Sequence, residues 1–485
     1  MTQVEGLAAF VVRATYDDLS EEARQALKIR ILDALGCAVG ALDAEPIALL
    51  RAQIDDFGGQ PLATLIGGPK TAPDRAAFYN AALVRYLDYN DSFLAPGETC
   101  HPSDNLGAVL AASEYADRHG RDLLTALAVA YQVQCRLSEA APVRARGFDH
   151  TTQGAYAVAA GVAKALGLDQ VRTAHAIAIA GVSYNALRVT RTGRLSHWKG
   201  LAFPNTAFGA THAAFLARQG ITGPLEVFEG NKGFMDAIAG PFVLAWDRED
   251  LEAVRHTILK RYNAEIHSQS ALEGLLDLRR AHHVRPEDVE RIELDTFDVA
   301  YQIIGGGEEG NKHLVHTKEQ ADHSLPYLLA VALLDGEVTP AQYIPERIPR
   351  QDVQALLRAV IVRPDAALSR RFPAEMPCRV RIVLRDGRIL QVEKSDYEGF
   401  VTRPMSWATV VAKFEHLAAP YADRRLRQTL VEAVGQLDAI TVRELTALLA
   451  TVRREVTMTS RINHATAALQ TQAAPLITEG KDGAT

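Results

Sequence analysis

The sequence predicts a mainly α protein, a large helical domain built from both chain ends with a smaller α+β domain inserted between them. Three observations carry this. From about Leu19 to Gly220, Ala-rich segments with apolar residues at helical spacing follow one another, separated by Gly, Pro and polar breaks. After about Ser268 the pattern changes to the alternation of strands with one buried face, and at Ser406 the helical period resumes. A chain of 485 residues also exceeds the roughly 250–300 residues at which a single core stops growing. The expected division is 1–267 for the first part of the helical domain, 268–405 for the α+β domain, and 406–485 for the returning helices and a tail.

Taken in order, SEEARQALKIRILDALGCAVGAL is the first strong helix. Ser20 can cap it, Glu21 and Glu22 suit the positive end of its dipole, and Leu27, Ile31, Leu35, Val39 and Leu42 share one face. DLLTALAVAYQVQCRL, TTQGAYAVAAGVAKAL ending at Gly167, TAHAIAIAGV, and PNTAFGATHAAFLARQ with Pro204 in its first turn read the same way. Their Ala and Gly residues allow helices to approach closely inside a bundle. In the inserted part, VERIELDTF reads as a strand and RVRIVLRDGRILQVE as two strands joined at Asp386-Gly387. SLPYLLAVALLDG between them is a helix with Ser324 near its start. SWATVVAKFEHLAA, RRLRQTLVEAV and TVRELTALLATV return to the bundle, and 471–485 is expected to be a mobile tail.

Composition excludes several classes of function. Hydrophobic residues make up 48% and charged residues 23% of the chain, the balance of a globular protein. The formal charge of −7 is spread without a basic stripe, which weighs against a nucleic-acid partner. The N-terminal apolar run has no basic region ahead of it and is too short to span a bilayer, so a soluble, cytoplasmic protein without a membrane partner is expected. Cys37, Cys100, Cys135 and Cys378 have no spacing that would hold zinc or an iron–sulfur cluster. No metal and no cofactor is expected, and elimination chemistry would fall to side chains.

Chemistry concentrates in three segments. RYLDYNDSFLAPGETCHPSDN crowds Asp88, Asn90, Asp91, His101, Ser103 and Asp104 into a broken loop between helices, where the alternative is helix capping and an ordinary loop histidine. LRVTRTGRLSHWKG gathers Arg188, Arg191, Arg194 and Lys199, cations that can fix a di- or tricarboxylate or else form a solvated basic loop. KRYNAEIHSQSALE sets Lys260, Glu265 and His267 at the junction of the two parts, a favoured place for ligands. His150 stands just before a helix and either faces a bound acid or helps to start that helix.

These segments, together with TKEQADHSLPYLLAVALLDG, resemble the 2-methylcitrate dehydratase superfamily, also called the MmgE/PrpD family, over nearly the whole chain. The most specific pieces are RYLDYND followed by HPSDN, the LR…TR…WKG segment, AEIHSQSA and ADHSLPY, all four in order. The resemblance implies a large helical domain, a smaller α+β lid, a site between them, a homodimer, and activity without metal or organic cofactor. It places Asp91, His101, His150, Lys199, Lys260 and His267 around the substrate. Ser92 is left outside this set, because members of the family differ in length between Ser92 and Cys100.

The expected reaction is dehydration of 2-methylcitrate, or of citrate, to the corresponding aconitate. It needs a base, an acid and cations for the carboxylates. We expect His101 as general acid/base oriented by Asp91, Lys199 with Arg188 or Arg191 on carboxylates, His150 and Lys260 as further binding groups, and His267 assisting. Decarboxylation of cis-aconitate is the nearest alternative, although ADHSLPY and HPSDN look more like the dehydratase branch. Two readings of another class are a metal-dependent diphosphate enzyme, suggested by Asp88 and Asp91, and a carboxylate-binding protein without catalysis.

Overall fold

The computed structural model describes residues 1–453, so the tail read at 471–485 lies outside the described residues. The chain is mainly α with a smaller α+β part. One apolar cluster draws on residues from Val4 to Leu259 and again from Met405 to Val452, and a second on residues from Ala264 to Leu384. Helix Trp407–Ala418, from late in the chain, packs on helix Glu21–Gly40 near its beginning. A Cβ at Gly36 would stand 3.3 Å from the Phe414 backbone, so the small residue sets how closely these helices approach. Among the described residues no helix is long and apolar enough to cross a membrane.

Local chemistry accounts for most helix ends. The Ser20 side chain accepts a hydrogen bond from the Ala23 N–H at 3.0 Å and opens Glu21–Gly40. Helix Thr151–Leu166 stops at Gly167, which takes the left-handed conformation at φ 69°. Pro204 departs from the expected pattern: the helix runs Trp198–Arg218, so this proline lies inside it and not in its first turn. Proline inside a helix removes one hydrogen bond and costs about 3 kcal/mol. Tertiary bonds offset that cost, because the Lys199 carbonyl accepts from Arg191 at 2.9 Å and the Lys199 ammonium is bound by Asp88 and Asp322.

The α+β part contains a four-stranded sheet in the order Val360–Pro364, Val289–Thr296, Cys378–Leu384, Ile389–Lys394. The central strand pairs parallel to the first and antiparallel to the third. The last two form the expected hairpin, with Gly387 at φ 88° in its turn. The edge strand Val360–Pro364 was not expected; only Val360 on it is buried, so it lacks a clear alternation. Helix Leu325–Asp335, capped by Ser324 at 3.1 Å, is buried from Leu325 through Leu333 in the second cluster.

Two helices flank the loop that carries His101: Pro73–Tyr86 ends just before it and Leu106–Tyr115 begins just after it. They touch at Gly107, where a Cβ would stand 2.3 Å from the Ala81 nitrogen. Backbone cannot yield as a flexible side chain can. Gly107→Ala is therefore expected to cost about 1–3 kcal/mol through overpacking, read as a lower urea midpoint. An unchanged midpoint would show that the helices separate freely at this crossing.

Candidate active site

A cleft of about 500 Å³, its open mouth included, collects side chains from both parts of the chain. His101, His150, Arg85, Arg144 and Arg188 come from the helical stretch, whereas His267, Glu265, Glu309 and His323 come from beyond it. His101 is carried by a short hairpin, Phe93–Ala95 paired with Glu98–Cys100. Pro96 and Gly97, the latter at φ 81°, form its two-residue turn. The sequence reading missed this hairpin, although the Pro96-Gly97 pair was a turn signal.

The hydrogen bonds of His101 fix its tautomer. Nδ1 lies 2.8 Å from the Asp91 carbonyl oxygen, which can only accept, so Nδ1 carries the proton. Ser92 Oγ, 3.0 Å from the same nitrogen, is then a second acceptor. Burial first, and the Arg85 and Lys260 charges after it, hold His101 well below its ordinary value. Nε2 is therefore an unprotonated acceptor, and it has no hydrogen-bond partner among the described residues. Asp91 orients His101 through its main chain and not its carboxylate. That carboxylate accepts from Tyr131 at 2.7 Å and from the Ser103 N–H at 3.0 Å, behind the cleft wall.

His150 is held differently. Arg191 donates to its Nε2 at 3.2 Å, which leaves the proton on Nδ1, a buried atom without a partner. Burial, with Arg191 among the opposing charges, lowers His150 to about 3. Arg191 itself is fully engaged: it reaches Asp149 at 2.8 and 3.3 Å and the Lys199 carbonyl at 2.9 Å. Arg191 therefore positions His150. The Arg188 guanidinium, by contrast, gives its one hydrogen bond to Glu309, at 2.7 Å.

Asp88 anchors the opposite charge arrangement. It ends helix Pro73–Tyr86 in a left-handed conformation, φ 56°, which Asp tolerates better than most residues. Its Oδ1 accepts from Arg85 at 2.5 Å and Lys260 at 2.7 Å, and its Oδ2 from Lys199 at 3.1 Å. Burial works against its ionisation, but Arg85, Lys199 and Lys260 hold it well below the usual carboxylate range. Lys199 also binds Asp322 at 3.0 Å and lies 3.1 Å from His323. Asp88, Asp322 and His323 have the spacing of a metal-binding trio, and the ammonium of Lys199 sits among them. An ion there would have to displace a tethered cation.

On the far side, His267 Nδ1 donates to Glu265 at 2.7 Å, while its buried Nε2 has no partner. Burial disfavours the Glu265 charge, but His267 outweighs it and brings that carboxyl down to about 2. Of the eight residues expected at the site, His101, His150, Arg188, Arg191, Lys260 and His267 line the cleft. Asp91 and Lys199 stand behind its wall. Arg85, Arg144 and Glu309 line it without having been expected there.

Residues 5–247 match the model of the MmgE/PrpD N-terminal domain, and residues 262–438 that of the MmgE/PrpD C-terminal domain. The chain belongs to the MmgE/PrpD family. Alkylcitrate dehydratase phiI from a fungal species is 29% identical over 434 residues, 81% of this chain and 82% of its own. 2-Methylcitrate dehydratase of Salmonella typhi is 27% identical over 73% of this chain and 76% of its own. That of Cupriavidus necator is 28% identical, covering 76% and 79% respectively. The family's C-terminal segment includes helix Arg424–Gly435, whose Leu430 and Val434 pack in the first apolar cluster of this MmgE/PrpD member.

Removing one partner from a buried ion network leaves the others uncompensated, at about 3–5 kcal/mol. Asp88→Asn, which leaves Lys260 without a carboxylate and weakens the pairing of Arg85 and Lys199, is expected to lower unfolding free energy by that amount in urea titrations. A loss below about 1 kcal/mol, the scale of an exposed ion pair, would refute its role as the hub.

Proposed function

We propose that this protein is a hydro-lyase that dehydrates 2-methylcitrate to 2-methylaconitate, with side chains supplying the acid and the base. The observation that carries the reading is an unprotonated, unpartnered His101 Nε2 in a cleft rich in arginine. The names of the relatives support a citrate-type substrate. Arg85, Arg144 and Arg188 can meet the carboxylates, because each carries guanidinium N–H groups that the protein leaves unused.

In the proposed step His101 Nε2 takes the proton from the carbon next to a carboxylate. The electron pair of that bond becomes the new C=C bond as the C–O bond breaks. An imidazolium at His267, held by Glu265, gives its Nε2 proton to the departing oxygen, which leaves as water. The arginines stabilise charge that develops on the carboxylate during proton removal. Lys199 acts from behind the wall, holding Asp88 and Asp322 in place.

Replacing the base should affect turnover and leave binding intact. His101→Gln is expected to lose about 10²–10⁴-fold in kcat while the protein remains folded, with the product of the parent enzyme lighter than substrate by one water in mass spectra. Activity should persist in chelator. Intact turnover in the variant, a product lacking a carboxylate, or a metal requirement would each overturn the reading.

The pH profile gives a separate test. Because His101 is held well below its ordinary value of 6.5, the imidazole stays unprotonated as pH falls through 6.5. After correction for ionisation of the substrate, the acid limb of kcat/KM should therefore lie well below 6.5. A limb at 6.5 or above would remove His101 from the role of base.

A further inference from the structure

One carboxylate of the cleft pairs only with cations that the proposed function gives to substrate. Among its acidic side chains, Asp88 holds Arg85, Lys199 and Lys260, and Glu265 holds His267. Glu98 accepts backbone N–H groups of Thr99, Val143 and Arg144. Glu309 does none of this. Its Oε1 accepts from Arg188 at 2.7 Å and stands 3.7 Å from Arg144, two of the cations that the proposed function assigns to substrate.

The segment that delivers Glu309 is suited to withdrawal. Gly306, Glu308, Gly310 and Asn311 are exposed, whereas Glu309 between them is 7% exposed. Gly306 and Gly310 have φ values of 111° and 92°, a region closed to most side chains, so the turn on either side of Glu309 depends on glycine. Its backbone bonds are local: Glu309 N–H to the Gln302 carbonyl at 3.0 Å and Gly310 N–H to that of Gly307 at 3.1 Å. Ile303, at the root of the segment, lines the same cleft.

Resting on the reading of the cleft as a polycarboxylate site, we infer that Glu309 is a built-in competitor that fills the Arg188–Arg144 seat in the free enzyme and yields it to a substrate carboxylate as the Gly306–Gly310 turn swings out. Exchanging one carboxylate for another at that seat gains little. A monocarboxylate therefore has no net reason to enter. A tricarboxylate does, because its other carboxylates meet Arg85 and the remaining donors. Glu309 is thus a specificity-determining residue, selecting polyanions by raising the threshold that every ligand must pass. It also keeps Arg144 and Arg188 together while the seat is empty, two like charges that would otherwise repel.

The test is calorimetric titration of wild type, Glu309→Gln and the exposed control Glu308→Gln with propane-1,2,3-tricarboxylate, which has no hydroxyl to lose, and with butyrate. Glu309→Gln is expected to bind the tricarboxylate about tenfold more tightly and to bind butyrate measurably, while Glu308→Gln matches wild type. KM should fall in Glu309→Gln with little change in kcat, a split that a merely structural residue would not give. Hydrogen exchange in wild type should accelerate between residues 305 and 311 when the tricarboxylate binds. Equal or weaker binding by Glu309→Gln, with wild type still binding, would overturn the competitor and leave the polycarboxylate site standing. Absence of tricarboxylate binding in both chains would overturn that site and the competitor with it.

Discussion

A carboxylate taken out of water must have its charge met, and Asp88 is where this fold meets that demand. The side chains that do so come from three places: Arg85 one turn back, Lys199 in the first turn of a distant helix, and Lys260 in the connection between the two apolar clusters. None can leave without stranding charge in a medium where unpaired charge is very expensive. The segments that carry them are thereby locked in one arrangement, and the cleft is the space left between them. Asp322 extends the lock, since it binds Lys199 at 3.0 Å and Lys318 at 2.6 Å.

The same dry surroundings divide labour between residue types. Burial removes the proton most readily from imidazole, so His101 and His150 are held neutral. Guanidinium resists, because its intrinsic pKa lies above about 12. Arginines can therefore stand beside neutral histidines and keep their charge for an anion. An ammonium is intermediate: burial lowers Lys199, and Asp322 and Asp88 work against that loss. Lys199 accordingly lies in the ion network, where Asp88 and Asp322 support it, while Arg144 and Arg188 line the cleft.

The helices and the strand hairpin were legible because their signals are local. Ser20, Gly167, Ser324 and Gly387 act within a turn of where they stand. The histidines and cations of the site were legible as residue types gathered in short segments. Which of them faces the cleft was not, because that depends on pairing across the chain. Arg188 and Arg191 are three residues apart, yet Asp149 and His150 take the hydrogen bonds of Arg191, while Arg188 turns to Glu309. Arg85 stood inside the RYLDYND motif but was not singled out, and Arg144 gave no signal, since its partner Glu309 is more than one hundred positions away. Pro204 misled for a related reason: its local rule was sound, and the bonds that outweighed it come from Asp88, Asp322 and Arg191.

The trio of Asp88, Asp322 and His323 shows how a tethered cation constrains the chemistry beside it. Its ligand atoms lie within 4.8 Å of one another, close enough for a divalent ion, and Lys199 occupies the middle on a covalent leash. A bound ion could exchange and would present open positions to a substrate oxygen. An ammonium whose hydrogens already point at Asp88 and Asp322 presents none. Assistance to a departing hydroxyl must then come from a proton donor elsewhere in the cleft. His267 is placed for that demand, with Nδ1 committed to Glu265 and Nε2 free of any protein partner. On the proposed reading, the ion network that secures the wall is thus the reason the chemistry is assigned to imidazole.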